Sequence, residues 1–364
     1  MRRTSALIVG GGPAGSAAAI MLARAGSAPE LLERTSGPRD VVCGGFLGWD
    51  ALALLDRLGV DAWALGARPI ERLRLVSAKR IVEARLPYRA AGLSRRTLDE
   101  ALLGAAAAAG AVVKRGVAAR AAEPPRRIRL ESGEEIEADA LLLATGKHEL
   151  RGLARPREVI GADPVVGFRT ALAPTRRLRE ALDGWIELHL FEGGYAGLLL
   201  QEDGTANLCV SIARQRVNEA GGIEGLVAEL SSELPCLARR LNDAPAGAWI
   251  AVAGVPYGWR ARSTEPGVFR LGDQAAVIAS LAGDGIAIAL SSGVRAAEAL
   301  LRDGPKGATA FQGSFSQRAA RPLAVASALR RAAENELGRG PLMRLLGAAP
   351  WIAPIAARLT RIGR

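Results

Sequence analysis

The sequence predicts an α/β protein: a doubly wound, Rossmann-like domain, an inserted antiparallel β-sheet, and helices at the C-terminus. Three observations carry this. A short apolar run, Ser5–Val9, meets a glycine turn and then an alanine-rich helical stretch. Apolar and polar residues alternate with period two between about residues 160 and 254. From Gly304 onward the apolar spacing is helical. With 364 residues, 49% of them hydrophobic, the chain is long enough for two domains and too apolar for general disorder.

The first element is the most informative. Arg2 and Arg3 ahead of an apolar stretch reaching Leu22 imitate a secretory leader. Five interruptions, at Gly10, Gly11, Gly12, Pro13 and Gly15, make that stretch a poor membrane span. Ser5–Val9 instead predicts a buried strand, Ser16–Ala25 a helix closed by Gly26, and Glu30–Glu33 a second strand. The result is a βαβ unit with G-x-G-x-x-G at Gly10, Gly12 and Gly15. There Gly10 makes the tight turn, Gly12 lets the backbone approach a pyrophosphate, and Gly15 lets helix and strand pack closely. The helix N-terminus offers unpaired N–H groups to phosphate. Glu33 stands 23 residues after Gly10, where a carboxylate accepts from a ribose hydroxyl and repels a 2′-phosphate.

Further segments extend the dinucleotide reading to FAD. Val42–Phe46 is a small-residue loop leading to a helix from about Trp49 to Leu58. Leu93–Leu102 starts a helix that continues to Ala109, followed by strand and turn over Ala111–Val117. Ala140–Gly146 is a buried strand ending in glycine. Val268–Asp273 is a strand ending in a carboxylate, and Ala282–Ile286 opens a small-residue helix to Leu301. Asp273 is placed to accept from a ribityl hydroxyl, and Gly283 and Gly285 admit close approach of backbone to a flavin ring. The following helix directs its positive end at the pyrimidine side.

This ordered set resembles the flavoproteins of the para-hydroxybenzoate-hydroxylase fold, and within them the geranylgeranyl-reductase-like branch. The resemblance rests on Cys43-Gly44-Gly45, on Arg95 four residues before Asp99, and on Gly193-Gly194-Tyr195-Ala196-Gly197. Pro256-Tyr257, Gly272-Asp273, Gly283-Asp284-Gly285-Ile286 and Ser292-Gly293 complete it, over roughly residues 4–302. It implies an FAD-binding domain of the GR2 type. Gly10, Gly12, Pro13, Ala14, Gly15, Glu33, Arg34, Cys43, Gly44, Gly45, Arg95, Val117, Thr145, Gly146, Gly272, Asp273, Gly283, Gly285 and Ile286 are its candidate cofactor residues. The chain departs from that family in three places. Ser280 stands where proline is usual, Gly197 replaces an aromatic residue and leaves room in the pocket, and the Asp-Gly fingerprint of hydroxylases is altered at Thr145–Arg151.

Segments 1–65, 90–155 and 255–302 are assigned to the FAD domain, 66–89 and 156–254 to the substrate sheet, and 303–364 to a C-terminal helical segment. Phe46, His189, Tyr195 and Gly197 are the substrate-pocket candidates; no catalytic residue is assigned. Three cysteines without C-x-x-C spacing and two histidines argue against disulfide scaffolds and metal chemistry, and point to a reducing cytoplasm. The net charge of +11 comes almost wholly from arginine, only four of the 48 basic residues being lysine, without the basic-aromatic runs of nucleic-acid binders. The basic, apolar tail from Pro341 to Arg364 is compatible with a peripheral membrane contact, a lid over a greasy tunnel, or plain docking.

The expected function is an FAD-dependent monooxygenase that uses NADPH or NADH and O₂ to hydroxylate a lipophilic aromatic or polyketide-like compound. The alternative is an ene-reductase acting on an isoprenoid or other unsaturated lipid. A carrier without catalysis is a third possibility, opposed by the intact flavin motifs.

Overall fold

Ala6–Val9 are all buried, and an unbroken apolar run of that kind is stable where both faces of a strand are covered. In the computed structural model, which describes residues 2–123, 126–156 and 164–362, it forms the inner half of β1 (Arg2–Val9). Then come α1 (Pro13–Arg24), β2 (Glu30–Glu33), β3 (Phe46–Leu47), α2 (Trp49–Arg57), β4 (Arg68–Val76), β5 (Ile81–Gly92) and α3 (Arg95–Ala108). β6 (Val112–Arg115), β7 (Ala119–Ala122), β8 (Arg127–Leu130) and β9 (Glu135–Leu143) complete the first half. The second half begins with β10 (Val165–Leu172), α4 (Arg176–Leu182), β11 (Gly184–Phe191), β12 (Gly194–Leu200) and β13 (Ala206–Ala213). It continues through α5 (Arg214–Glu219), α6 (Ile223–Glu233), α7 (Pro235–Asp243), β14 (Ile250–Val255), β15 (Val268–Arg270) and α8 (Gly285–Asp303). α9 (Ala308–Glu334), α10 (Glu336–Ala348) and α11 (Ile352–Leu359) end the chain.

The helix expected from Ser16 starts at Pro13. Proline has the φ of a first helical turn and lacks an N–H that would find no partner there.

Two sheets result. The first runs β6-β2-β1-β9-β8-β7, with β15 also beside β9. Its β6, β2, β1, β9 and β15 are parallel, so their carboxyl ends share one edge. The second runs β14-β10-β13-β12-β11-β4-β5-β3 and takes strands from residues 46–47, 68–92 and 165–255. Its pairs are antiparallel except one: β11 lies parallel to β4, with Ile186 opposite Leu73 and Leu188 opposite Leu75. The inserted sheet is thus antiparallel, as expected, apart from this one pair. The chain leaves this sheet after β5 and re-enters at β10, and strands separated by such an excursion are free to run parallel.

α1 and α8 pack side by side under the first sheet, while α4, α6 and α7 cover the outer face of the second. α9 crosses β11 and β12, and α10 and α11 lie on β5. Among the described residues no single helix is long and apolar enough to cross a membrane.

Candidate active site

The shared edge of the first sheet opens on a cavity of about 750 Å³ that extends under the second sheet. That is within the range of about 300–1,000 Å³ typical of ligand sites. Two helices point N-termini at it, α1 through Gly12 and α8 through Asp284, and neither carries a side-chain cap or an acidic residue in its first turn. The exposed N–H groups are therefore left for a ligand, and an anion suits them.

At one end Glu33, on β2, accepts from the Gly11 and Thr35 backbone N–H groups, both at 2.9 Å, and from Thr35 Oγ1 at 2.8 Å. Burial alone would raise its pKa, but these donors hold it below the usual carboxylate range. Arg95 lies beside Gly12 and grips Asp99 through two hydrogen bonds of 2.8 Å. That pairing keeps its guanidinium charged despite burial. Asp273 faces Lys147, its Oδ2 at 3.3 Å from Nζ, and the carboxylate raises the lysine above its ordinary value. His148 sits at 2.7 Å from Arg34; burial, then Arg34, Arg39 and Lys147, depress its pKa, so it is neutral at physiological pH and accepts from Arg34.

Of the cofactor candidates, all but Gly15 line this cavity. Gly15 acts one layer behind: a Cβ there would lie 1.9 Å from the Gly10 carbonyl oxygen. At Gly285, Gly44 and Gly146 an added Cβ would meet no protein atom within 4 Å. The bare backbone there leaves space for a flat ligand. Uncapped helix ends, a carboxylate where the motif expects a ribose and bare glycines where it expects a flat ring fit FAD.

The far end of the cavity is walled by the second sheet. Side chains alternate across a strand, and antiparallel partners share a face. Ile186 and Leu188 of β11, Tyr195, Gly197 and Leu199 of β12, and Cys209 and Ser211 of β13 all turn inward. Phe46 lies against Gly283. The room expected from Gly197 is partly taken by Leu188, whose Cδ2 would be 3.2 Å from a Cβ there. A hydrogen-bonded chain of hydroxyls crosses this wall. Tyr195 donates to Ser280 Oγ, Ser280 bonds Tyr257, and Tyr257 is 3.3 Å from Ser211. Burial raises both tyrosines above their ordinary pKa, so each keeps its proton at neutral pH. Burial also pushes the Cys209 thiol up to about 12, which leaves it protonated and unreactive.

His189 is a correction. It lies one residue from Leu188 and therefore on the opposite face, fully buried, with Nε2 at 2.8 Å from Glu187 Oε1. Arg74 and Arg240 also bond Glu187, at 2.9 and 3.0 Å. Cys236 places a third ligand-type atom within 4.8 Å of the other two, but both carboxylate oxygens already serve cations, and two guanidiniums oppose a metal ion. Burial alone would raise the Glu187 pKa; the bonds from His189 and Arg240 win and hold it well below 4.5. A depressed folded pKa contributes stability that is full above the unfolded value and is lost as pH falls. Glu187→Gln should therefore lower the melting temperature at neutral pH and flatten the decline expected from about pH 5 downward. An acid limb unchanged in a pH series of melting curves contradicts that assignment.

Lys147, Cys209, Ser211, Tyr257 and Ser280 belong to the site and were not among the candidates. Period two from Gly197, carried across the sheet, reaches Cys209 and Ser211 once the register is known. No sequence signal brings Ser280 beside two tyrosines. The loop holding Cys43 and Gly44 is fixed by Asn207, whose Nδ2 donates to both carbonyls at 3.0 and 2.8 Å. Asn207 in turn accepts from the buried Arg169 at 2.7 Å.

Residues 3–171 match the family model of the FAD binding domain. The menaquinone reductase of Mycolicibacterium smegmatis is 27% identical over 326 residues, which cover 83% of this chain and 77% of that protein. A geranylgeranyl bacteriochlorophyll reductase-like protein from Thermoplasma acidophilum superposes with a TM-score of 0.69 at 19% identity, covering 99% of this chain and all of that one. PqsL from Pseudomonas aeruginosa, "a probable FAD-dependent monooxygenase", gives 0.70 at 17% identity, over 94% of this chain and all of that one.

Proposed function

We propose that this FAD-dependent oxidoreductase of the para-hydroxybenzoate-hydroxylase fold saturates a carbon–carbon double bond of an isoprenoid-type lipophile, with electrons from NADPH or NADH. The observation that carries the reading is the Tyr195–Ser280–Tyr257–Ser211 chain in an otherwise apolar wall. Saturating a double bond takes a hydride on one carbon and a proton on the next. FAD, which Gly12, Glu33, Arg95 and Asp273 would hold, would supply the hydride-transfer chemistry. The proton is this chain's task. Tyr195, which donates to Ser280 at rest, gives its proton up on turning to the substrate and takes one back from solvent through the exposed Ser280 and the half-buried Tyr257. Ile186, Leu188 and Leu199 exclude water and match an apolar chain. The name of the mycobacterial relative, menaquinone reductase, supports a reductive reaction on a lipophilic isoprenoid compound.

The hydroxylating reading, first from sequence, retains one support: the wall offers an electron-rich ring apolar contact and demands no acid from it. One experiment separates the two. FAD-loaded protein is reduced with dithionite under argon and given a menaquinone with an unsaturated tail. Product mass is read after air reoxidation of the quinone ring. The expected product has gained two hydrogens without oxygen present. A product formed only in air, carrying one added oxygen atom, establishes hydroxylation instead.

A further inference from the structure

We infer that α10 and α11 form an interfacial anchor that seats the substrate chamber on an anionic lipid surface. This stands independently of which reaction the chamber performs. On α10 the outward residues include Leu337, Arg344 and Leu345, with Glu336 exposed at the helix start; on α11 and its lead-in they are Trp351, Ile355 and Arg358. The spacing is helical, so each set forms one stripe. An outward stripe on a water-facing helix is normally polar. Here Leu337 is 86% exposed, Trp351 67%, Leu345 52% and Ile355 46%.

Charge identifies the occupant. Between Glu336 and Arg364 the sequence has five arginines and no acid after Glu336 itself. Arg339 and Arg361 turn inward to Glu192 and Asp284. Arg344 and Arg358 remain on the outward stripe. Apolar side chains interleaved with arginine match a bilayer surface carrying anionic headgroups. The helices have 13 and 8 residues and meet at a bend of 119°, a geometry suited to lying along an interface. Their inner faces supply Met343, Leu346 and Ile352 to the apolar cluster that includes the chamber residues Leu188 and Tyr195. The helices that carry the outward stripe thus pack by their inner faces on the same cluster as the chamber wall.

The test is co-sedimentation of the FAD-loaded chain with vesicles of phosphatidylcholine alone or mixed with phosphatidylglycerol. Wild type is expected to pellet with the mixed vesicles and about tenfold less with the neutral ones. Trp351→Glu/Ile355→Glu should abolish pelleting with flavin content and melting temperature unchanged. Arg344→Glu should weaken binding to the mixed vesicles alone, which a folding defect would not do. Wild type left in the supernatant with phosphatidylglycerol vesicles overturns the proposal. So does a gel-filtration dimer split by the glutamate pair, which would assign the stripe to a second copy of this chain.

Discussion

Gly15→Val should yield a protein that neither retains FAD nor folds stably. The first turn of α1 runs so close to β1 that a Cβ at residue 15 would lie 1.9 Å from the Gly10 carbonyl oxygen and 3.1 Å from Ile8 Cγ2. Backbone cannot yield as a flexible side chain would. α1 cannot retreat either, since a Cβ on Gly293 of α8 would already lie 2.2 Å from the Ala14 carbonyl oxygen. Valine therefore tips the helix and moves its N–H groups off the phosphate position. Strain of that kind in a packed core costs roughly 3 kcal/mol or more. Gly104→Ala is the matched control. It lies inside α3, nothing stands within 4 Å of its added Cβ, and alanine there should stabilise by about 0.5–1 kcal/mol. Melting temperature and flavin absorbance of the two variants decide the matter. A yellow Gly15→Val protein melting with wild type would mean that α1 is not wedged as described.

Local residue spacing made the first βαβ unit legible, because its glycines, apolar run and closing carboxylate all act within about thirty residues. That the cofactor candidates share one cavity was readable for the same reason: most of them sit at a strand end followed by a small-residue turn. The substrate end was not. Which face of β11 looks inward depends on register against β4 and β12, and a slip of one residue exchanges Leu188 for His189. His189 carried the more suggestive chemistry, yet the buried Glu187–Arg240 pair on the far face had the use for it. Parallel pairing of β4 with β11 was hidden too, since more than a hundred residues separate the two strands. Ser280 shows the limit most plainly. As a departure from the resembling family it was visible, but its meaning lies in two tyrosines at positions 195 and 257.

Ser280→Pro restores the residue usual in that family and should break the hydroxyl chain while leaving the fold intact. Ala279 is extended, with ψ of 124°, as a residue before proline prefers, and residue 280 opens a 3₁₀ turn. Proline therefore fits the backbone but carries no hydroxyl to join Tyr195 to Tyr257. If the chain supplies the proton, turnover on the unsaturated substrate should fall roughly 10²-fold, the lower end of what a positioned acid contributes. Flavin content and KM should stay at wild-type values. Tyr195→Phe should lose at least as much, because it removes the donor rather than its supply. The protonated form is the active one and burial raises both tyrosines. Wild-type turnover should accordingly hold through neutral pH and decline only as pH rises through those raised values. A solvent deuterium effect should accompany the wild-type reaction and grow in the Ser280 variant as proton supply becomes limiting. Wild-type turnover in Ser280→Pro, with an unchanged isotope effect, would show that the proton reaches the substrate by another route and remove the chief support for the double-bond reading.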